Sequence, residues 1–512
     1  MTNLSDLFPA GAGKQVSFVA DGAISAAGKP VILNSAGTVT PISETSVSES
    51  IPEGSDTVWF AAPVSSPYST ANYIDIAFDV SSDKFVMVFA DAKVSSYASY
   101  IVGSISGSTL TYGTKTVFNS STVIHPSIAA DPAATGVFAI AYNDFAGSSG
   151  SFIKVGTLSG TTLSFGSGVN FSTANSYGAL EFDFTSSTFV LAWQKAADSN
   201  KLFGTLGTYS GTTVTLQTEV ELYGTAVNDW PIGLAFDPST TGKFAVVANN
   251  YASPYAGIAV CGTISGTTIT GGTAQTFNAT GAAFETTPYS ACVFDSVNAD
   301  NLIIAFRDAG SSNYGAACAA TLSGTVFTFG TKVQFNSTAS TDFWAMAPSG
   351  VGRAFQIVYR NDATSDRPFA AALSVSGTTI TAGTPVQITT EGVNSTNYLV
   401  AAMNPNDAGS FVTAWREKNY DGCSSVASQQ GYTSTNLTST NFIGISDAAI
   451  SSAASGNVTI KGGIAATGLT SLTPGSDYYA QADGTISTVS TGSAVKIGRA
   501  MSATSINLEY QS

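Results

Sequence analysis

Four arginines, Arg307, Arg353, Arg360 and Arg416, and a single histidine, His125, are the first residues in this 512-residue chain to test for chemistry. Arginines that grip a carboxylated sugar beside a tyrosine nucleophile serve a sialidase-type hydrolase, and other glycosidases need two carboxylates flanking the bond. The Ser-x-Asp-x-Gly-x-Thr-Trp turn of such hydrolases is absent, and no acidic pair recurs. His125 lies in Val123-Ile-His-Pro without a G-x-S-x-G elbow, so a nucleophilic triad has no second member. The cysteines Cys261, Cys292, Cys318 and Cys423 are scattered without C-x-x-C spacing. They read as buried thiols, forming neither a zinc site nor a disulfide framework. No catalytic residue, metal or cofactor is expected, and the chain reads as a non-enzyme.

Recognition fits the residues better. Apolar strands repeatedly end at a polar residue, and large side chains gather just beyond: Asp91 with Tyr97, Asn143-Asp-Phe145, Gln194-Lys195, Asn249-Asn-Tyr251 with Tyr255, Arg307-Asp308, Arg360-Asn-Asp362 and Arg416-Glu-Lys-Asn-Tyr420. Trp230, Trp344 and Tyr398 stand in a second set of connections. Aromatic faces stack on the apolar faces of sugar rings while Arg, Asp and Asn meet hydroxyls. The candidate ligand-binding residues are therefore Trp230, Trp344, Tyr251, Tyr398, Tyr420, Arg307, Arg360 and Arg416. A plainer account competes for each. The tryptophans and Tyr398 wedge between sheets, the arginines pair with Asp308 or Asp362, and the Asp and Asn side chains close turns.

A repeat positions these residues. A Ser-Gly-Ser/Thr turn recurs at Ser106, Ser159, Ser210, Ser265, Ser323 and Ser376, at intervals of 51 to 58 residues. The strand ending at a polar residue occurs seven times, from Phe89-Ala-Asp91 to Ala414-Trp-Arg416. A third pattern runs an apolar strand into a turn, as in Leu234-Ala-Phe-Asp-Pro-Ser-Thr-Thr-Gly-Lys. Each unit predicts four short antiparallel strands, A to D, the signature of a propeller blade. A linear solenoid would leave exposed edges. The seventh unit lacks a fourth strand, and Asp56-Thr-Val-Trp-Phe resembles a fourth strand without a blade. The fold class expected is all-β: a seven-bladed β-propeller of four-stranded blades, closed by the N-terminal strand, with six or eight blades as alternatives. The A-to-B and C-to-D turns are small and stereotyped, whereas the B-to-C and D-to-A connections vary. The variable rim is the expected recognition surface.

Composition agrees with a β-rich surface protein. Hydrophobic residues make up 44%, charged residues 10%, and 50 residues are Gly. The net charge of −15 and the absence of a basic cluster argue against a nucleic-acid partner. No apolar run is long enough to insert in a membrane, and no signal peptide is visible.

Residues 1–50 predict a hairpin or anchor segment, 51–440 the propeller, and 441–512 a C-terminal β module able to pack with 1–50. The stretches Asn441-Phe-Ile-Gly-Ile-Ser-Asp-Ala-Ala, Gly468-Leu-Thr-Ser-Leu-Thr-Pro-Gly-Ser-Asp-Tyr-Tyr and Val495-Lys-Ile-Gly-Arg-Ala-Met-Ser-Ala-Thr resemble a terminal module of structural proteins from marine tailed phages (cyanophage- and pelagiphage-like). The lead Asn3-Leu-Ser-Asp-Leu-Phe-Pro-Ala-Gly-Ala-Gly-Lys is similar to the start of many of them. The resemblance implies a virion component made in the host cytoplasm, a tail fibre or surface appendage, and carries over no catalytic or metal site. With the rim residues, it implies host attachment through a surface glycan. Other virion proteins would be held by the terminal modules, and a homotrimer is plausible for a fibre. The alternatives are a head decoration or tail scaffold protein and, last, a glycan hydrolase.

Overall fold

The Ser-Gly-Thr turns fold as tight hairpins because glycine accepts the backbone they need. Gly160, Gly211, Gly266, Gly324 and Gly377 have φ between 57° and 62°, and the threonine after each does not share the positive φ. That is the pattern of a type II′ turn, whose twist matches the strands it joins. A computed structural model describes residues 15–46, 57–60, 71–106, 109–145, 150–174, 176, 178–228, 232–251, 255–279, 282–283, 292–295, 301–338, 340–348, 354–364, 366–388, 399–404, 410–416, 423–429, 433–438, 440–490 and 494–509. Within them the chain is all-β apart from short 3-10 turns, and no helix is long and apolar enough to cross a membrane.

Two compact units result, residues 48–432 and a flanking unit of 1–47 with 433–512. Residues 433–440 thus group with the flanks, a correction to the boundary expected at 441.

In the larger unit the described strands form a nine-stranded antiparallel sheet and five further sheets; the long strand Thr116–Ala130 divides the nine strands into a first and a second sheet, and the third to seventh follow. The third is representative. Strands Gly178–Phe182, Thr188–Lys195 and Lys201–Ser210 are A, B and C. Two pieces, Thr213–Leu216 and Val220–Ala226, then share the outer edge of C. The expected single D strand is therefore broken, and sheets one to six share this plan. The break serves packing. A Cβ on Gly166 would lie 2.0 Å from the Thr212 carbonyl oxygen, and one on Gly330 2.1 Å from that of Thr378. Each glycine sits at the break of one sheet and each threonine in the Ser-Gly-Thr turn of the next. The break lets the neighbouring turn seat against bare backbone.

In the seventh sheet, Leu399–Met403, Ser410–Arg416 and Cys423–Gln429 supply A to C, and Thr57–Phe60 pairs along the edge of C. Phe60 stands opposite Cys423, and Val58 opposite Ser424.

The cores lie between sheets. Val86 and Tyr100 of the first sheet pack with Phe138, Ile140 and Tyr142 of the second. Ala139 and Val155 of the second meet Phe189 and Trp193 of the third. Phe85, Met87 and Phe89 of the first sheet pack with Val400, Val412 and Ala414 of the seventh. Sheets covered on both faces explain why the B strands are nearly continuous apolar runs rather than alternating ones.

In the flanking unit, Gln15–Val19 pairs with Ser455–Ile460 and Pro30–Leu33 with Phe442–Ser446, so the two ends of the chain share one sheet. A second sheet is built around Val495–Ser502 and Ser505–Leu508. Ile32, Phe442, Ile445, Ile497 and Ile506 share a core there.

Candidate functional site

The polar residues that close the B strands were expected to face a ligand. They are buried and tie the fold together. Asp91 and Asp308 have no exposed surface, Asn143 and Asn249 are buried, and Arg360 and Arg416 are only 6% and 5% exposed. Asp91 pairs with Lys115 and accepts the Lys93 amide at 2.9 Å. Asp308 pairs with Lys332 at 2.7 Å and accepts from Asn278 at 3.2 Å. Gln194 donates to the Val227 carbonyl at 2.9 Å. Arg360 holds Asp362 at 3.0 Å and Arg416 donates to Asn72 of the first sheet. The ligand-contact reading of Arg360 and Arg416 is corrected accordingly: a guanidinium buried against its own fold is not presented to a sugar. Arg307 is half-buried on strand Asn301–Asp308. These three arginines stand on three different sheets.

The B-to-C connections are also less variable than their sequences. In four sheets they are one device, a 3-10 turn at Ala92–Val94, Ala196–Asp198, Ala309–Ser311 or Asp362–Thr364. Left-handed residues follow: Ser95 and Ser96, Ser199 and Asn200, Ser312 and Asn313, or Asp366. Short polar residues tolerate that backbone, so different words encode one shape.

The connections of the second and fourth sheets depart from it. Phe145 is 57% exposed. In the fourth sheet Tyr251 and Tyr255 are 57% and 49% exposed, with ring centroids 5.8 Å apart and planes at 87°. The pair is held from below by the preceding sheet. The Tyr251 amide donates to Ala226 at 2.9 Å, the Asn228 amide to Asn249 at 2.9 Å, and the Asn250 side chain to the Tyr223 hydroxyl at 3.0 Å. Tyr255 itself takes a φ of 60°, a costly backbone for an aromatic residue. Of the aromatic candidates, Trp230, Tyr398 and Tyr420 lie outside the described residues. Trp344 is in strand Thr341–Pro348, opposite Tyr359.

His125 is buried at a bulge in strand Thr116–Ala130 with φ 48°, its ring 4.1 Å from that of Tyr73, which has φ 54° at the matching bulge of the first sheet. Burial pushes its pKa down to about 3, so the imidazole is neutral at ordinary pH. Two acids went unread in the sequence. Asp75 and Glu181 each interrupt an apolar A strand, Ile74-Asp-Ile76 and Leu180-Glu-Phe182, and that interruption is the signal that could have found them. Among the described residues no group of three or more His, Cys, Asp or Glu is placed to hold a metal ion.

No family profile matches the sequence, and no curated protein is similar to it. Solved structures with a similar fold include AofleA from Arthrobotrys oligospora, at 7% identity over 69% of this chain and 94% of that one, with a TM-score of 0.41. A Dyadobacter fermentans protein of unknown function gives 12% identity over 76% and 99%, with a TM-score of 0.42. The six-bladed β-propeller Aleuria aurantia lectin gives 13% over 62% and 96%, with a TM-score of 0.38. The likeness is loose.

Proposed function

We propose that this protein is a non-catalytic carbohydrate-binding β-propeller, the seven sheets being its blades and Thr57–Phe60 the strand that closes the ring. The observation that carries the binding assignment is the Tyr251–Tyr255 pair. Two exposed tyrosines set at a right angle, Tyr251 being tied by its amide to the preceding sheet, make a corner of two ring faces. Free aromatic surface is costly to leave in water, and a sugar's apolar face covers it, with Tyr251 already anchored through its backbone amide. Supporting the ring reading, the A strand of the seventh sheet lies between those of the sixth and the first, and Arg416 reaches Asn72.

In this reading the protein is a phage tail fibre or surface appendage, and the flanking unit holds it to other virion proteins and is where fibre trimers form. The resemblance of its terminal stretches to phage structural modules supports that placement. Many weak sites on one particle then act by avidity. One observation favours a decoration or scaffold role instead: four of the B-to-C connections share one turn, as expected of a surface that repeats a contact rather than reading a ligand.

A glycan array probed with the purified chain tests the binding assignment, with reducing-end release from bound polysaccharide measured alongside. Binding without release is expected. Release would return the hydrolase reading, and immunogold signal confined to the capsid shell of intact particles would favour decoration.

A further inference from the structure

The inner strands of the seven sheets surround a cavity of about 280 Å³ that reaches the A-to-B end of the larger unit. Its lining is chemically uneven. Phe78, Val80, Phe184, Phe294 and Met403 make an apolar collar, with Val80 and Phe184 the most exposed of them. Farther along the inner strands the wall carries two carboxyl groups, Asp75 of the first sheet and Glu181 of the third. Asp75 is 5% exposed and accepts the amides of Ile76 and Ile128, both at 2.9 Å. Glu181 keeps some accessible surface and accepts the Phe182 amide at 3.3 Å.

Among the described lining residues there is no Lys, Arg or His. Asp131 and Cys292 are the other titratable groups there, and Asp131 is engaged by the Tyr209 hydroxyl at 2.5 Å. Elsewhere in this protein, buried acids such as Asp91 and Asp308 sit beside a lysine. In the cavity the two acids repel one another, with nothing basic among the described residues of the wall. A carboxylate out of water needs a partner or it takes up a proton.

We infer that this axial cavity is a binding site for a primary ammonium carried on an apolar stem. The ammonium would sit between Asp75 and Glu181 as their counter-charge, with the stem against the collar. This site is separate from the tyrosine rim and does not depend on it. Burial raises Asp75 to about 7, and burial followed by the charge of Asp75 raises Glu181 to about 8. Ammonium binding therefore strengthens as pH rises from 6 to 8.5 and releases protons below 8. Two sources share this chemistry, a free alkylamine and the lysine side chain of a protein partner.

Calorimetric titration of the full chain with n-hexylamine, 1-hexanol and N-acetyl-lysine methylamide separates them. At pH 8 hexylamine should bind at least about tenfold more tightly than hexanol, the equivalent of one unit of pKa. Glu181→Gln should cost about as much again. Ala402→Phe, which adds bulk to the cavity wall, should abolish binding while the circular dichroism stays unchanged. Tighter binding of the lysine derivative than of hexylamine would assign the site to a partner's side chain, and the reverse order to a free amine. Equal binding of hexanol, no heat from either amine, or indifference to both substitutions in folded protein would overturn the site.

Discussion

The carboxylate of Asp79, at the end of the first sheet's A strand, accepts a hydrogen bond at 2.9 Å from the amide of Gly136 in the second sheet. Asp183 of the third sheet does the same for Gly242 of the fourth, at 2.8 Å. The other use of each carboxylate is local. Asp79 also takes the Ser81 amide at 3.2 Å and Asp183 the Thr185 amide at 3.0 Å, closing their own turns. One side chain thus shapes a turn and anchors the next sheet, and a stack of small sheets gains a fixed spacing. Removing it strands a buried amide.

Asp183→Ala should therefore destabilise the larger unit by about 2 kcal/mol, the usual penalty for an unmade buried hydrogen bond. Guanidinium unfolding followed by tryptophan fluorescence reads it as a lower midpoint. An unchanged midpoint would remove the anchoring role.

Gly330→Ala tests the seating of turn on sheet. The added Cβ would lie 2.1 Å from the Thr378 backbone oxygen, which no rotamer change can relieve. A loss of about 1–3 kcal/mol is expected, the range for overpacking a tight contact. Full stability would mean that the sheets are less closely spaced than described.

Stability should fall as pH rises from 6.5 to 8.5. Asp75 and Glu181 have folded pKa values of about 7 and about 8, above their unfolded values, so the folded state holds the extra protons. Raising pH through that window removes a stabilisation that is complete only below the unfolded pKa. His125 does the opposite, since its folded pKa of about 3 lies below the unfolded value, and its effect is confined below about pH 6.5. Thermal melts of the wild type should therefore slope downward across the window, and Glu181→Gln should flatten much of that slope. A rising wild-type profile would contradict the assignment.

All-β character and the repeat were legible in the sequence because hairpin chemistry is local: a Ser-Gly-Thr turn dictates its backbone whatever surrounds it. The edge partner of Cys423–Gln429 was legible for a related reason, since a C strand with no sequel leaves an edge that the early run Thr57–Phe60 can cover. The site was less legible. Arg360 and Arg416 look like surface residues by type, and only the packing of neighbouring sheets reveals that they are enclosed. The connections after Asp91, Lys195 and Asp308 differ in sequence yet share one turn, because Ser, Asn and Asp all tolerate the left-handed region. Asp75 and Glu181 come from strands about a hundred residues apart, and no local pattern joins them.

Arg416→Ala separates structure from recognition. The side chain links the seventh sheet to Asn72 of the first, so its loss should lower the unfolding midpoint and leave glycan affinity in the folded protein within about twofold, a difference well below 1 kcal/mol. A selective loss of affinity at unchanged stability would restore it as a ligand contact.

The glycan affinity of a Tyr251→Ala, Tyr255→Ala double variant tests the central claim most directly. Both side chains are exposed, so the fold should survive, and each lost stacking face should cost about 1 kcal/mol. Binding to the best array glycan should weaken by about tenfold or more, with an unchanged unfolding midpoint. Full affinity in the double variant would contradict the account and move recognition elsewhere on the molecule.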